Sequence, residues 1–469
     1  MIFLFVALWL YWYPQYFTFA DEGEYMHTAA LLSKGILPPV TDPLLSFKYN
    51  TIDKIHFYPQ YTLGMGLLFA PLLWVFSWKL LFFLPLFLHL ASFVLLSRVF
   101  RMLHYNENFA MLFLFHPGLV FFSRTLMSET PSIFLILLAT YFYLQSHRDE
   151  KKAVYAGIIL GISLFFRYTN GIFFLVFFVV SFFENKQRAK YLLLGFLPFV
   201  FLLLLMNFHI YGTQLIGYKP SQFLGKTEYA GLIQRVILLG KYILPLLLIY
   251  PGLLLTVFFY KGTIRKEIFL LLLGHGLWFF ALNAQTFHYD FLKNLVLGPR
   301  YVYPFYALLL IPYAALAEKW IKIKPIILLI LLLSSSIVMA KHHTFTKENY
   351  DIMQTIYDNT KENSILYGNS YVLFFTSMLF GNRYAIKVYP QRAHENFRYD
   401  YIQKYSGDYS QYGVVLSRAL DGISLTGVED EEKKFYAFPH TILFNKTMST
   451  GDHLLIIELF PAERDIPKS

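Results

Sequence analysis

The 469-residue sequence contains no cysteine, so disulfides, thiolate metal sites and thiol nucleophiles are excluded. Charged residues are scarce at 15% of the chain, whereas 56% of the residues are hydrophobic. The sequence shows no phosphate-cradling glycine loop, no dinucleotide fingerprint and no Ser/His/Asp arrangement. Its histidines lack a metal-ligand spacing such as His-x-x-x-His. Thiol, nucleotide-dependent and serine-hydrolase chemistry therefore have no support in the sequence.

Long apolar runs recur along the chain and indicate a polytopic α-helical membrane protein. The 50 Phe and 36 Tyr residues suit interfacial belts and cavities lined by aromatic rings. The first run, MIFLFVALWLYWYPQYFTF, lacks a basic leader and a small-residue cleavage site, so we expect a retained helix. The net charge of +10 comes from short basic clusters between apolar runs, which is typical of cytoplasmic loops and not of nucleic-acid binding.

These basic clusters predict the topology. All of them fall on one side of the membrane if residues 61–78, interrupted by Gly64, Gly66 and Pro71, do not cross it but lie along the interface or dip in and return. The N-terminus is then cytoplasmic, and about eleven helices span the membrane. Their expected positions are 1–20, 79–97, 109–123, 131–146, 153–166, 171–184, 191–211, 236–259, 267–284, 302–317 and 325–341.

The predicted fold is an all-α polytopic membrane bundle over residues 1–341, followed by a small extracytoplasmic α/β domain at 342–469. Residues 21–78 of the bundle form an outer loop with a juxtamembrane helix. The turns at 124–130 and 167–170 and the loops at 212–235 and 285–301 face outside as well. In the C-terminal domain we expect helices near 346–361 and 370–380, and strands at 364–367 and near 384–389, 413–417 and 453–459.

Three carboxylates, Asp21, Glu22 and Glu24, follow directly on the first apolar run. One interpretation is a solvated acidic turn. The other is a general base, Asp21, with Glu22 as the partner that positions or tunes it, because like charges and partial burial raise the pKa of one member of such a pair. In this second interpretation Glu24 is a solvated neighbour.

Outward-facing arginines form the second candidate group. Arg124 and Glu129 flank one short turn and can form an ion pair across it that pins two helices. Alternatively, Arg124 could hold the carboxylate cluster or a phosphate. Arg167 lies in a short outer hairpin, and Arg300 lies at the outer end of another helix. These arginines could neutralise a lipid phosphate, or their side chains could reach to lipid head groups without a catalytic role.

The order of these motifs resembles the GT-C superfamily of membrane glycosyltransferases, especially the protein O-mannosyltransferases and lipid A aminoarabinose transferases. The matching features are Asp21-Glu22, the loop ending Tyr58-Pro59-Gln60-Tyr61, Ser123-Arg124 with Ser128-Glu129-Thr130-Pro131, the Arg167 hairpin, and Arg300-Tyr301 with Pro304. The resemblance covers about residues 1–340. The chain has no evident inserted repeat domain, which separates it from the mannosyltransferases.

This resemblance implies a sugar donor linked to polyprenyl phosphate and an inverting transfer on the outer face. Asp21 would be the catalytic carboxylate, with Glu22 beside it. The substrate-binding candidates are Arg124, Glu129, Arg167, Arg300, Tyr301, His56 and Tyr58. No resident cofactor and no metal ligand is indicated, and a divalent metal requirement stays open. The expected partners are membrane lipids, the lipid-linked donor and an acceptor of unknown kind, with no nucleic acid.

The sequence leaves two other functions open. A flippase or transporter of lipid-linked glycans would need charges or broken helices at mid-membrane, whereas these charges lie at the outer rim. A polymerase or ligase of surface glycans would also face outward, and it would rely on large outer loops with arginines. We expect a multi-pass protein of the inner (plasma) membrane with its site outside.

Overall fold

The computed structural model describes residues 1–41, 50–51, 57–59, 61–212, 240, 250, 252–282, 298–317, 325–368, 383–387, 408–417, 435–436, 438–448 and 452–460. The chain is mostly helical. Its described α-helices are Ile2–Tyr11, Ala20–Ser33, Gly64–Val75, Phe83–Met102, Ala110–Leu114, Pro117–Phe122, Glu129–Gln145, Ala153–Ser163, Gly171–Glu184, Lys186–Tyr211, Leu255–Phe259, Arg265–Leu282, Tyr303–Ala317 and Pro325–Asp358. The predicted span 236–259 and the predicted helix 370–380 lie largely or wholly outside the described residues.

Three of these helical segments are long and apolar enough to cross a membrane: Trp78–Met102, Lys186–Tyr211 and Pro325–Asp358. Large apolar side chains such as Phe3 and Phe183 are more than 80% exposed, as expected for surfaces that face lipid. The first helix is shorter than predicted and ends at Tyr11, because Pro14 disfavours helical geometry in the residue before it. Helix Gly64–Val75 has 12 residues, which is too few to span a bilayer.

The described residues divide into two compact units. The first comprises Met1–Tyr13, Tyr61–Met65 and Leu80–His342, and the second comprises Pro14–Gln60, Gly66–Lys79 and His343–Ser469. Within the first unit, helix Tyr303–Ala317 is buried along nearly its whole length. An apolar helix that is buried on all sides belongs to the centre of a bundle.

Glycines allow two helices of the first unit to approach backbone to backbone. A Cβ atom at Gly157 would collide with the carbonyl oxygen of Leu192, and one at Gly195 would collide with the carbonyl oxygen of Val154. Helices Ala153–Ser163 and Lys186–Tyr211 therefore pack through small residues, which is how membrane helices gain close van der Waals contact.

We expect Gly157→Ala and Gly195→Ala to destabilise the protein by about 1–3 kcal/mol each, because the obstructing atoms belong to the backbone and cannot rotate away. Gly276→Ala is the matched control, since a Cβ there meets nothing within 4 Å and alanine is the better helix former. Apparent melting temperatures in detergent measure the difference. Equal melting temperatures for all three variants would contradict the close helix contact.

The second unit contains the short paired strands β1 (Asn50–Thr51) and β2 (Phe57–Tyr58) and a five-stranded sheet. The sheet consists of β3 (Ile365–Gly368), β4 (Tyr384–Lys387), β5 (Gln411–Ser417), β6 (His440–Thr447) and β7 (His453–Leu459), in the order β4-β3-β5-β7-β6. Strand β3 pairs in parallel with β4 and β5, whereas β7 pairs antiparallel with β5 and β6. Gly413 leaves room for the ring of Phe435, which would lie 2.9 Å from an added Cβ.

Four of these strands lie within a few residues of their predicted positions, and β6 was not predicted. Predicted separate helices at 325–341 and 346–361 are wrong, because Pro325–Asp358 is one helix of 34 residues. The sequence from Lys341 to Asp358 contains neither glycine nor proline, so nothing in it interrupts the helical hydrogen bonds. The buried Arg383 donates from Nε to Thr360 Oγ1 at 2.9 Å just beyond the helix end.

Candidate functional site

A buried ionic cluster lies at one end of the first unit. Glu129 opens helix Glu129–Gln145, where the helix dipole favours a carboxylate. Its Oε1 lies 2.9 Å from Arg167 Nη1 and 3.9 Å from Arg300 Nε. The exposed fractions of the Glu129 and Arg167 side chains are 1% and 9%. Two guanidinium groups thus approach the same carboxylate.

Tyr301 covers both arginines of this cluster. The guanidinium carbon of Arg167 lies 5.0 Å from the ring centroid of Tyr301, and that of Arg300 lies 4.6 Å from it. Arg300 Nη2 also donates to the Tyr301 hydroxyl at 2.7 Å. Cation–π contacts hold a guanidinium plane while leaving its edge for hydrogen bonds to an anion.

The cluster retains hydrogen-bonding capacity. The close approach of Arg167 to Glu129 is an ion pair without hydrogen-bond geometry, and among the described residues neither Arg167 Nη1 nor Glu129 Oε2 has a hydrogen-bond partner. Buried polar atoms are rarely left in this state unless water or a ligand completes them. A polar ligand with several oxygens, such as a phosphate, would satisfy the guanidinium groups.

The predicted ion pair between Arg124 and Glu129 is wrong. Arg124 is completely buried and donates from Nε to His342 Nδ1 at 3.1 Å and from Nη2 to the carbonyl oxygen of Trp12. Burial lowers the pKa of Arg124 to about 9, because no carboxylate among the described residues offsets its desolvation. Its Nη1 has no hydrogen-bond partner in the part of the chain that the structure describes.

The carboxylates of the predicted acidic cluster lie in the second unit, on helix Ala20–Ser33. Glu22 is fully buried, and its Oε2 accepts hydrogen bonds from the backbone N–H groups of Thr18 at 2.6 Å and Phe19 at 2.8 Å. A glutamate at the third helical position that reaches back to the backbone is a helix-capping arrangement. Glu22 therefore fixes the start of the helix on which Asp21, half-buried, is placed.

The prediction that Glu24 is a solvated neighbour is wrong. Only 3% of Glu24 is exposed, and His27, one helical turn further along, is 4% exposed. Residues three apart share one face of a helix, so Asp21, Glu24 and His27 follow one another along the same side. The three-residue spacing of Asp21 and Glu24 is the sequence signal for this shared side of the helix.

The two remaining substrate-binding candidates are His56 and Tyr58. His56 lies outside the described residues, and Tyr58 lies in the short strand Phe57–Tyr58, which pairs with Asn50–Thr51. Among the described residues, no group of three or more histidines or carboxylates could hold a metal ion.

The fold of this chain is similar to that of ArnT, which confirms the resemblance at the level of the fold. The crystal structure of ArnT from Cupriavidus metallidurans bound to undecaprenyl phosphate is similar over 97% of this chain and 97% of that one, with a TM-score of 0.60 and 11% sequence identity. The apo structure of the same protein is similar over the same shares, with a TM-score of 0.53 and 13% identity. This chain therefore has an ArnT-like fold, and its long apolar helices indicate an integral membrane protein.

No protein-family model matches the chain. No curated protein matches it either.

Proposed function

We propose that this protein transfers a sugar from a polyprenyl-phosphate donor to an acceptor on the outer face of the membrane. The observation that carries the proposal is the cluster in which Arg167 and Arg300 both approach Glu129 and in which the buried Arg167 Nη1 has no hydrogen-bond partner among the described residues. Planar guanidinium groups bind phosphate with geometric specificity. The fold similar to ArnT, whose crystal structure contains undecaprenyl phosphate, supports a lipid-linked phosphate as the anion.

In the proposed reaction, a base removes the proton from an acceptor hydroxyl or amine as its lone pair attacks the anomeric carbon of the donor sugar. The bond between that carbon and the phosphate oxygen breaks from the opposite face, so the configuration inverts. The leaving polyprenyl phosphate gains negative charge as the bond breaks. Arg167 and Arg300 stabilise that charge because they are already fixed before the reaction begins.

Asp21 is assigned as the base by the resemblance and by its position on helix Ala20–Ser33. Glu22 supports it indirectly, since its bonds to Thr18 and Phe19 fix the helix start. Glu24 is a second carboxylate on the Asp21 side of that helix.

Glu129 keeps the arginine cluster assembled when no donor is bound. A buried guanidinium without a counter-charge is strongly destabilising, and the 2.9 Å contact with Arg167 provides that charge. A donor phosphate then competes with, or adds to, the carboxylate. Arg124 is a separate candidate for anion binding, since its Nη1 is buried and has no hydrogen-bond partner among the described residues.

The outward orientation of the site rests on the basic loops. With residues 61–78 not crossing, every basic cluster lies on the cytoplasmic side, and the turns that carry Glu129 and Arg167 lie on the other. The 12-residue length of helix Gly64–Val75 supports this topology. A donor delivered within the membrane suits such a site.

Binding of undecaprenyl phosphate to the purified protein tests the role of the arginines. We expect Arg167→Gln to weaken binding on the order of ten- to a hundredfold, the range for loss of a hydrogen bond to a charged group. Arg101→Gln is the matched control, since Arg101 is 71% exposed and pairs with Glu107 at 2.7 Å. Undecaprenol, which lacks the phosphate, should bind all three proteins alike. Equal affinity of wild type and Arg167→Gln for undecaprenyl phosphate would exclude Arg167 from phosphate binding.

A further inference from the structure

Residues Thr62–Gly64 of the first unit contact the turn that carries Arg167. The backbone N–H of Gly64 donates to the carbonyl oxygen of Phe165 at 2.8 Å. The hydroxyl of Thr62 donates to the carbonyl oxygen of Phe166 at 2.9 Å. These two carbonyls immediately precede Arg167 and lie just beyond the end of helix Ala153–Ser163, where backbone acceptors lack helical partners.

The same turn is held on its other side. Asn170 is 1% exposed, and its Nδ2 donates to Ser132 Oγ at 3.2 Å and to the carbonyl oxygen of Ser163 at 3.0 Å. Ser132 lies three residues after Glu129 on the same helix. Hydrogen bonds therefore hold the turn between Ser163 and Asn170 on both sides, and Arg167 lies between these two sets of contacts.

Gly64 is required by the close approach of the two backbones. A Cβ atom at this position would lie 2.5 Å from the carbonyl carbon of Phe165 and 2.9 Å from the N atom of Phe166. These atoms belong to the backbone, so any side chain at residue 64 must displace the turn. By contrast, a Cβ atom at Gly171, on the other side of Arg167, would meet only a Leu164 methyl carbon at 3.5 Å.

We infer that Thr62 and Gly64 are positioning residues for Arg167. By holding the Phe165 and Phe166 carbonyls, they set where the Arg167 guanidinium lies against Glu129. The same contacts also set where that guanidinium meets the donor phosphate, a statement that rests on the proposed function. Residues Thr62–Gly64, at the start of helix Gly64–Val75, are thereby part of the proposed phosphate-binding site, although none of their side chains carries a charge.

The inference is tested by comparing Thr62→Val, which removes the hydroxyl at nearly constant volume, with Thr62→Ser, which keeps it. Gly64→Ala and its control Gly171→Ala form the second pair. Hydrogen exchange of the backbone amides at 164–170 reports the turn, and titration with undecaprenyl phosphate reports the site. We expect faster exchange and about two- to tenfold weaker binding for Thr62→Val and at least that loss for Gly64→Ala. Thr62→Ser and Gly171→Ala should behave like wild type.

A role through Arg167 is separated from a general loss of structure by repeating Thr62→Val in an Arg167→Gln background. There, Thr62→Val should weaken binding no further, and in neither background should it change binding of undecaprenol. An additive loss in the double variant, or unchanged exchange in both Thr62→Val and Gly64→Ala, would overturn the inference. A third outcome is that the wild type does not bind undecaprenyl phosphate, while hydrogen exchange is faster in Thr62→Val and unchanged in Thr62→Ser. In that case the positioning role stands and the proposed function fails. If Gly64→Ala does not fold, the threonine pair decides.

Discussion

Asp21→Asn is expected to lower the rate of sugar transfer by about 10²- to 10⁴-fold, the contribution of a positioned general base. Asparagine has nearly the shape of aspartate and cannot take up a proton at neutral pH. Helix Ala20–Ser33 should persist, because Glu22 still accepts hydrogen bonds from Thr18 and Phe19. The loss should therefore appear in kcat, with little change in thermal stability or in undecaprenyl phosphate binding.

Two comparison variants give this prediction its specificity. Asp351→Asn changes an exposed aspartate and should leave the transfer rate at the wild-type level. Glu22→Gln keeps an oxygen that can cap the helix and loses its charge, so it should cost stability and only part of the activity. If Asp21→Asn and Glu22→Gln both retained full activity, the assignment of the base to this helix would be wrong.

Glu129→Gln is expected to destabilise the protein by about 3–5 kcal/mol, the range for removing one partner of a buried ion pair. The carboxylate faces both Arg167 at 2.9 Å and Arg300 at 3.9 Å, so its loss removes a counter-charge from two guanidinium groups at once. The apparent melting temperature measures this effect. Glu107→Gln, which breaks an exposed ion pair at 2.7 Å, is the matched control and should cause no measurable change.

In the same variant, we expect bound ligand to offset the loss of stability. Undecaprenyl phosphate should raise the melting temperature of Glu129→Gln more than that of the wild type, because its phosphate supplies the missing negative charge. Undecaprenol should not do so. A purely structural ion pair would give equal ligand-induced shifts in the two proteins.

Much of the architecture could be predicted from the sequence because apolar runs and basic loops determine how a membrane chain crosses its bilayer. Strand β6 was missed for a physical reason. Most of His440–Thr447 is exposed, and Ile442, Leu443 and Phe444 are consecutive, so the strand lacks the alternation that marks a half-buried strand. The helix boundary at Tyr11 was missed because the apolar run continues beyond it.

The partners within the site could not be predicted in the same way. Arg124 and Glu129 are five residues apart, and this closeness predicted an ion pair. Arg124 instead donates to His342, and Glu129 pairs with Arg167. Such pairings depend on which helices pack together, and sequence spacing reports only neighbours on one helix or in one turn. The contact of Thr62 with Phe166 left no sequence signal, because its acceptor is a backbone carbonyl.

The most direct test of the central claim is donor choice by the wild-type protein in purified membranes. A panel of labelled hexoses and pentoses is supplied either on undecaprenyl phosphate or as nucleotide sugars. We predict that wild-type membranes transfer label from at least one lipid-linked donor to an acceptor fraction and release undecaprenyl phosphate. Membranes containing Asp21→Asn should not consume the same donor. Label transferred from a nucleotide sugar while every lipid-linked donor stays intact would contradict the proposed function.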